Sequence, residues 1–268
     1  MQMGRHRGDA SDMKISLVQP DTVWENKSEN LRNLEILILP LLNKTDIVIL
    51  PEMFNTGFSM NPETLSEPPR KDTFEWMKRT AEKGNFAVCG SYMVSENNLT
   101  FNRFVFVSPE NEIWQYDKRH LFSMEGENNF FTPGIERVTF LFRGVRISPF
   151  ICFDLRFPVW CRNRNDTDLI IYSANWPERR KGAWNTLIRA RAIENQCFVA
   201  GVNRIGTDGN GVLFCGDSML INTRGEVIVA AGTAKECTVT GEISMTELSE
   251  FRAKYPFLKD ADDFTISI

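Results

Sequence analysis

Short runs of consecutive or alternating apolar residues recur along the chain, separated by clusters of Gly, Pro, Asn and Asp. These runs predict strands at 14–19, 47–50, 86–89, 101–107, 113–116, 138–142, 145–151, 169–172, 198–202, 218–221 and 227–230. The run at 47–50 has no polar position, the pattern of a strand covered on both faces. Helical spacing replaces alternation where Leu31, Leu34, Leu37, Leu41 and Leu42 recur up to a break around Pro40. A second helix is expected over 73–83, with Asp72 as its cap and Phe74, Met77 and Ala81 on one face. A third spans 182–196, and a short fourth over 245–252 precedes an extended tail. Strands interleaved with a few helices, without repeat or low-complexity linker, predict one layered α/β domain over 13–268. Residues 1–12 are polar, have no apolar core of a secretory signal, and are read as a leader outside the fold.

Composition narrows the function more than the fold. A net charge of -4 and a pI near 5.4 argue against a general nucleic-acid binder, which needs a basic field to neutralise phosphates. No run approaches the ~20 apolar residues of a membrane span. The six cysteines form no C-x-x-C pair, so reduced thiols and a cytoplasmic setting are expected, and two histidines are scant material for a metal site. Neither a G-x-G-x-x-G nor a Walker loop is present, so no cofactor is expected and the partner is read as a small molecule.

Three reactive groups stand at the ends of apolar strands: Glu52, Lys118 and Cys152. A thiol is a strong nucleophile once its proton is removed, and Glu52 is placed to be that base. Lys118 supplies a positive charge beside an oxyanion, so the trio suits attack on an amide carbonyl. Cys89, Cys197, Cys215 and Cys237 read as small buried hydrophobes, and Cys161 lacks a partner. A Cys152–His120 protease pair lacks any protease signature around the cysteine, and His120 is read as structural. Trp76, Trp114, Trp160 and Trp184 read as packing residues, whereas Trp176 follows a buried strand and is read as a pocket wall.

The segments Leu50-Pro51-Glu52-Met53-Phe54, Tyr116-Asp117-Lys118-Arg119-His120-Leu121-Phe122 and Ile151-Cys152-Phe153-Asp154-Leu155-Arg156-Phe157-Pro158 resemble the glutamate, lysine and cysteine motifs of the nitrilase superfamily, in that order. The resemblance extends through Ser173-Ala174-Asn175-Trp176-Pro177 and the helix at Arg189-Ala190-Arg191, and is nearest the omega-amidase branch. It implies a four-layer α-β-β-α sandwich, a homodimer, and hydrolysis of a short keto-acid amide such as 2-oxoglutaramate or 2-oxosuccinamate through a cysteine thioester. A second carboxylate beside the lysine falls on Glu127, which spacing to Gly134 favours over Glu125. The oxyanion pocket pairs Lys118 with the backbone N–H of Phe153. A substrate of this class carries a remote carboxylate, for which Arg156 is the candidate, unless it pairs with Asp154. Carbamoylases and nitrilases use the same three residues, and an inactive scaffold would keep the fold alone.

Overall fold

The first strand, β1 (Met13–Gln19), buries nearly every residue it contributes, because it lies inside a sheet with neighbours on both sides. In the computed structural model, which describes residues 12–267, the chain continues through α1 (Lys27–Ile38), β2 (Ile47–Ile49), α2 (Pro62–Leu65), α3 (Asp72–Gly84), β3 (Ala87–Glu96), β4 (Leu99–Val107) and β5 (Ile113–Asp117). Then come β6 (Phe140–Phe142), β7 (Val145–Ile151), β8 (Leu169–Ala174), α4 (Lys181–Asn195) and β9 (Phe198–Asn203). The closing elements are β10 (Ile205–Thr207), β11 (Leu213–Cys215), β12 (Met219–Ile221), β13 (Val227–Ala230), β14 (Cys237–Ile243) and α5 (Met245–Lys254). The leader read over residues 1–12 lies outside the described residues except for Asp12. Among the described residues, no helix is long and apolar enough to cross a membrane.

Two sheets carry the architecture, one ordered β14-β1-β2-β3-β4-β5 and the other β13-β12-β9-β8-β7-β6. Each has a parallel centre, β1-β2-β3 and β7-β8-β9, flanked by antiparallel strands. Strand alternation sorts their side chains between layers. Ile15, Leu17, Ile47, Ile49, Phe104 and Phe106 face the second sheet, whereas Val18, Val48, Val105 and Val107 pack under α1 and α3. Trp184, Ile188 and Ala192 of α4 and Leu248 of α5 cover the second sheet from outside. The result is the α-β-β-α sandwich that the resemblance implied.

Local departures from the expected elements have physical causes. Asp72 does not cap α3: it is the first helical residue, and Lys71 holds the cap position without a side-chain bond. The buried amide of Thr73 instead donates to the buried carboxylate of Glu67, to Oε2 at 2.9 Å. Glu67 is held there by its own bridge to Val94, so a distant residue displaces the local cap. The strand expected at 86–89 runs to Glu96, because Gly90 and Ser91 look like a break but serve the chain beside them. A Cβ at Gly90 would stand 2.8 Å from Leu50 Cβ, and Ser91 Oγ accepts the Met53 N–H at 3.0 Å. Both positions therefore exist to seat the turn that carries Glu52.

Candidate active site

The reactive groups sit at strand ends, two of them after parallel strands and one after the antiparallel edge strand β5. Glu52 lies in the turn after β2, Cys152 directly follows β7, and Lys118 directly follows β5, its N–H still paired to the Asn102 carbonyl at 3.0 Å. Two of these mounts occupy left-handed backbone: Cys152 has φ 43° and Met53, next to Glu52, has φ 43°. Non-glycine residues there cost about 1–3 kcal/mol, so the surrounding packing must hold both turns in place. The two sheets are joined at this level by Ser173 Oγ donating to the Leu50 carbonyl at 2.9 Å and Asn175 Nδ2 donating to the Glu52 carbonyl at 2.6 Å.

Glu52, Lys118 and Glu127 form one buried cluster. Lys118 Nζ donates to Glu52 Oε1 at 2.8 Å and to Glu127 Oε2 at 2.8 Å, with all three side chains at most 1% exposed. Asn102, on the inner face of β4, donates to Glu52 Oε1 at 2.9 Å and to Glu127 Oε1 at 3.1 Å. The far oxygen of Glu52 accepts the Asn175 N–H at 2.9 Å, and Phe122 N–H fixes Glu127 Oε2 at 2.6 Å. Each carboxylate is thus oriented by several donors rather than by one lysine. Glu125, the alternative second carboxylate, points elsewhere and pairs with Arg179 at 3.1 Å on the surface.

The electrostatics follow from burial. Burial opposes the charge on Lys118, but the Glu127 and Glu52 carboxylates outweigh it and raise its pKa, so the ammonium persists. Glu127 is raised, by burial first and by repulsion from Glu52, with Lys118 pulling the other way. Burial and the nearby Glu52 carboxylate push the Cys152 thiol well above its usual range, against the pull of Lys118. Its Sγ lies 3.7 Å from the Asn175 carbonyl, on the residue whose N–H holds Glu52, and close enough to that carboxylate to feel its charge. The resting group is therefore a thiol with a base at hand, not a preformed thiolate. Subtracting the Cys152→Ala spectrum from that of the intact chain should leave no thiolate absorbance in the far ultraviolet between pH 7 and about 8.5, the free-cysteine value. A Cys152-dependent thiolate band at neutral pH would contradict this charge state.

Cys152 and Lys118 open onto a cavity of about 100 Å³ whose lining includes Phe153, Arg156, Asn175, Trp176, Arg180 and Phe122. All three sequence candidates for substrate contact thus reach one pocket with the cysteine. The Phe153 N–H lies in the first turn of the short 3-10 helix Cys152–Arg156, where amides have no intrahelical partner. Asp154 is not a partner for Arg156: it accepts from Tyr116 Oη at 2.7 Å and from the Ile151 N–H at 3.0 Å. It also holds the His120 ring at 2.8 Å, and that ring stacks on Phe157, so His120 braces the cysteine turn rather than serving as base. Trp76, Trp160 and Trp184 are buried in packing, and Trp114 stacks on Phe140. The described cysteines are all free, and Cys237 is only half-buried. Asn102, Asn175 and Arg180 escaped the sequence reading as individual contributors. Asn102 had a usable signal, a polar residue in phase with the inward Phe104 and Phe106.

A family profile described as carbon-nitrogen hydrolase matches residues 14–253. The chain belongs to the carbon-nitrogen hydrolase family. Omega-amidase YafV from Escherichia coli (strain K12) is 42% identical over 254 residues, covering 95% of this chain and 98% of the relative. The 2-oxoglutaramate amidase of Bacillus subtilis (strain 168) is 35% identical over 251 residues, covering 92% and 96%. A crystal structure of a CN-hydrolase superfamily protein from Xanthomonas campestris, with an arsenic adduct in its active site, matches with TM-score 0.93 and 41% identity, covering 96% of this chain and 99% of that one. Nit3 from Saccharomyces cerevisiae, a nitrilase superfamily member, shares the fold with TM-score 0.83 at 22% identity, covering 92% and 96%. Carbon-nitrogen hydrolase membership places the chain among hydrolases of non-peptide carbon–nitrogen bonds.

Proposed function

We propose that this carbon-nitrogen hydrolase is an omega-amidase that releases ammonia from a short keto-acid amide of the 2-oxoglutaramate or 2-oxosuccinamate type. The observation that carries the mechanism is the Glu52 carboxylate, held by Lys118 and Asn102 on one oxygen and by the Asn175 N–H on the other, within reach of a protonated thiol. As Cys152 Sγ bonds to the amide carbon, its proton passes to Glu52, and negative charge gathers on the carbonyl oxygen. The Lys118 ammonium and the Phe153 N–H meet that oxygen, an effect worth about 2.7–4 kcal/mol per donor in comparable sites. Glu52 then protonates the nitrogen, the C–N bond breaks, and ammonia leaves a Cys152 thioester. Water attacks that carbon while Glu52 takes its proton, the S–C bond breaks, and the proton returns to sulfur. Glu127 keeps Lys118 charged and aimed throughout.

Trp176 walls the pocket, and Arg156 at its rim offers a planar guanidinium to the remote carboxylate. The relatives named omega-amidase and 2-oxoglutaramate amidase support the same substrate class. Exposed apolar side chains on α4 and β13, Ile193, Val227 and Ile228, support self-association as a homodimer, and unpaired cysteines support a cytoplasmic setting. Incubation with 2-oxoglutaramate should yield ammonia and 2-oxoglutarate in equal amounts. Rapid acid quenching followed by intact mass spectrometry should show an adduct of substrate less ammonia, mapping to Cys152. Absence of ammonia, or an adduct on another residue, would refute the assignment, and carbon dioxide from a ureido acid would indicate decarbamoylation instead.

A further inference from the structure

Arg180 ends the 3-10 turn Glu178–Arg180 that leads into α4, half-buried in the wall of the pocket that contains Cys152. Its backbone is fixed, because Trp176 Nε1 donates to its carbonyl at 2.8 Å. Its guanidinium lies 4.7 Å from the centroid of the Phe122 ring, and across the same pocket the Arg156 guanidinium lies 4.9 Å from that of Trp176. Aromatic faces orient a guanidinium without neutralising it, leaving its N–H fork free for an incoming ligand.

The two acids that share this pocket are committed elsewhere. Glu125 pairs with Arg179 at 3.1 Å, and Asp208 Oδ1 accepts the amides of Asn210 and Val212, each at 2.9 Å, bracing its own turn. Among the described residues, neither Arg156 nor Arg180 has a carboxylate within salt-bridge distance. Burial first, then repulsion from Arg179 and more weakly from Arg156, hold Arg180 below its ordinary pKa, with Glu125 pulling the other way. Two like charges on one pocket, Arg180 half-buried and Arg156 exposed at the rim, without a protein counterion, leave a place for an anion carried by the substrate.

We propose that Arg180 is a specificity-determining residue, closing with Arg156 on the substrate's remote carboxylate so that amides bearing that anion are selected over neutral amides of the same length. The inference rests on the omega-amidase reading. It deepens that reading by adding a second guanidinium, from a different segment of chain, which the cysteine motif alone does not supply.

The test compares kcat/KM for 2-oxoglutaramate and for pentanamide. In Arg180→Gln the ratio of the two should fall about 10- to 100-fold, chiefly through KM of the anionic amide, as expected for loss of hydrogen bonds to a charged group. Arg180→Lys should recover part of that ratio. Lys78→Gln, which removes only an exposed ion pair to Glu82 on α3, should change it by no more than about twofold. An equal loss on both amides in Arg180→Gln, or an unchanged ratio, overturns the proposal. Calorimetry with the catalytically silent Cys152→Ala chain and 2-oxoglutarate separates this from the chemistry. A Kd about 10-fold or more weaker on adding Arg180→Gln supports the clamp even if the intact chain releases no ammonia, which would refute only the omega-amidase reading. No binding by Cys152→Ala, or the same Kd in both chains, overturns it.

Discussion

Glu52→Gln is expected to lower the rate of ammonia release from 2-oxoglutaramate by about 10³- to 10⁴-fold, the upper range for loss of a positioned general base. The substitution keeps the shape of the side chain and removes what the reaction needs. The neutral amide cannot take the thiol proton, and burial already holds that thiol protonated. It also breaks the hydrogen-bond pattern. One Glu52 oxygen faces Lys118 Nζ and Asn102 Nδ2, and the other faces the Asn175 N–H, so donors point at both. Whichever way the glutamine sits, its NH₂ meets a donor, at a cost of about 1–3 kcal/mol for the unsatisfied group. Steady-state rates with a matched denaturation curve separate the two effects. A Glu52→Gln chain retaining more than about a tenth of wild-type kcat, well inside the usual loss for a missing base, would remove Glu52 from the proposed chemistry.

Much of this site was legible because its groups stand at the ends of apolar strands, where side-chain period and chemistry both leave a mark in the sequence. Glu52, Lys118 and Cys152 could be located from local pattern, and the order of their motifs carried the resemblance. What was not legible depends on pairings distant along the chain. Strand β14 was missed because Cys237-Thr238-Val239-Thr240-Gly241-Glu242-Ile243 is half-exposed and carries a glycine. It forms only because β1 pairs with it residue for residue, from Met13 against Ile243 to Gln19 against Cys237. Arg180 shows the same limit at a smaller scale. Beside Arg179 it looks like one of two solvated charges, and only the fold turns Arg179 toward Glu125 while seating Arg180 on Phe122. The choice between Glu125 and Glu127 was a matter of register, and in space Glu127 pairs with Lys118 while Glu125 pairs with Arg179.

Removing Lys118 should damage the fold as well as the chemistry, and the pattern of rescue distinguishes a charge cluster from simple loss of packing. In Lys118→Met, Glu52 and Glu127 keep their buried positions and Asn102, but lose the cation between them. Breaking a buried pair by deleting one partner costs about 3–5 kcal/mol, and ammonia release should fall below detection. Glu127 is already raised in the intact chain, and without the ammonium that pulls it down it rises further. A carboxyl raised on folding holds a proton that the unfolded chain gives up, so stability is retained at pH below the ordinary glutamate value and declines as pH rises above it. The deficit of Lys118→Met should therefore be larger at pH 8 than at pH 5, and Lys118→Met/Glu127→Gln should recover stability at pH 8 without recovering turnover. Urea denaturation midpoints of the three chains at both pH values decide the matter. If the double variant is no more stable than Lys118→Met at pH 8, repulsion between the buried carboxylates is not what Lys118 relieves.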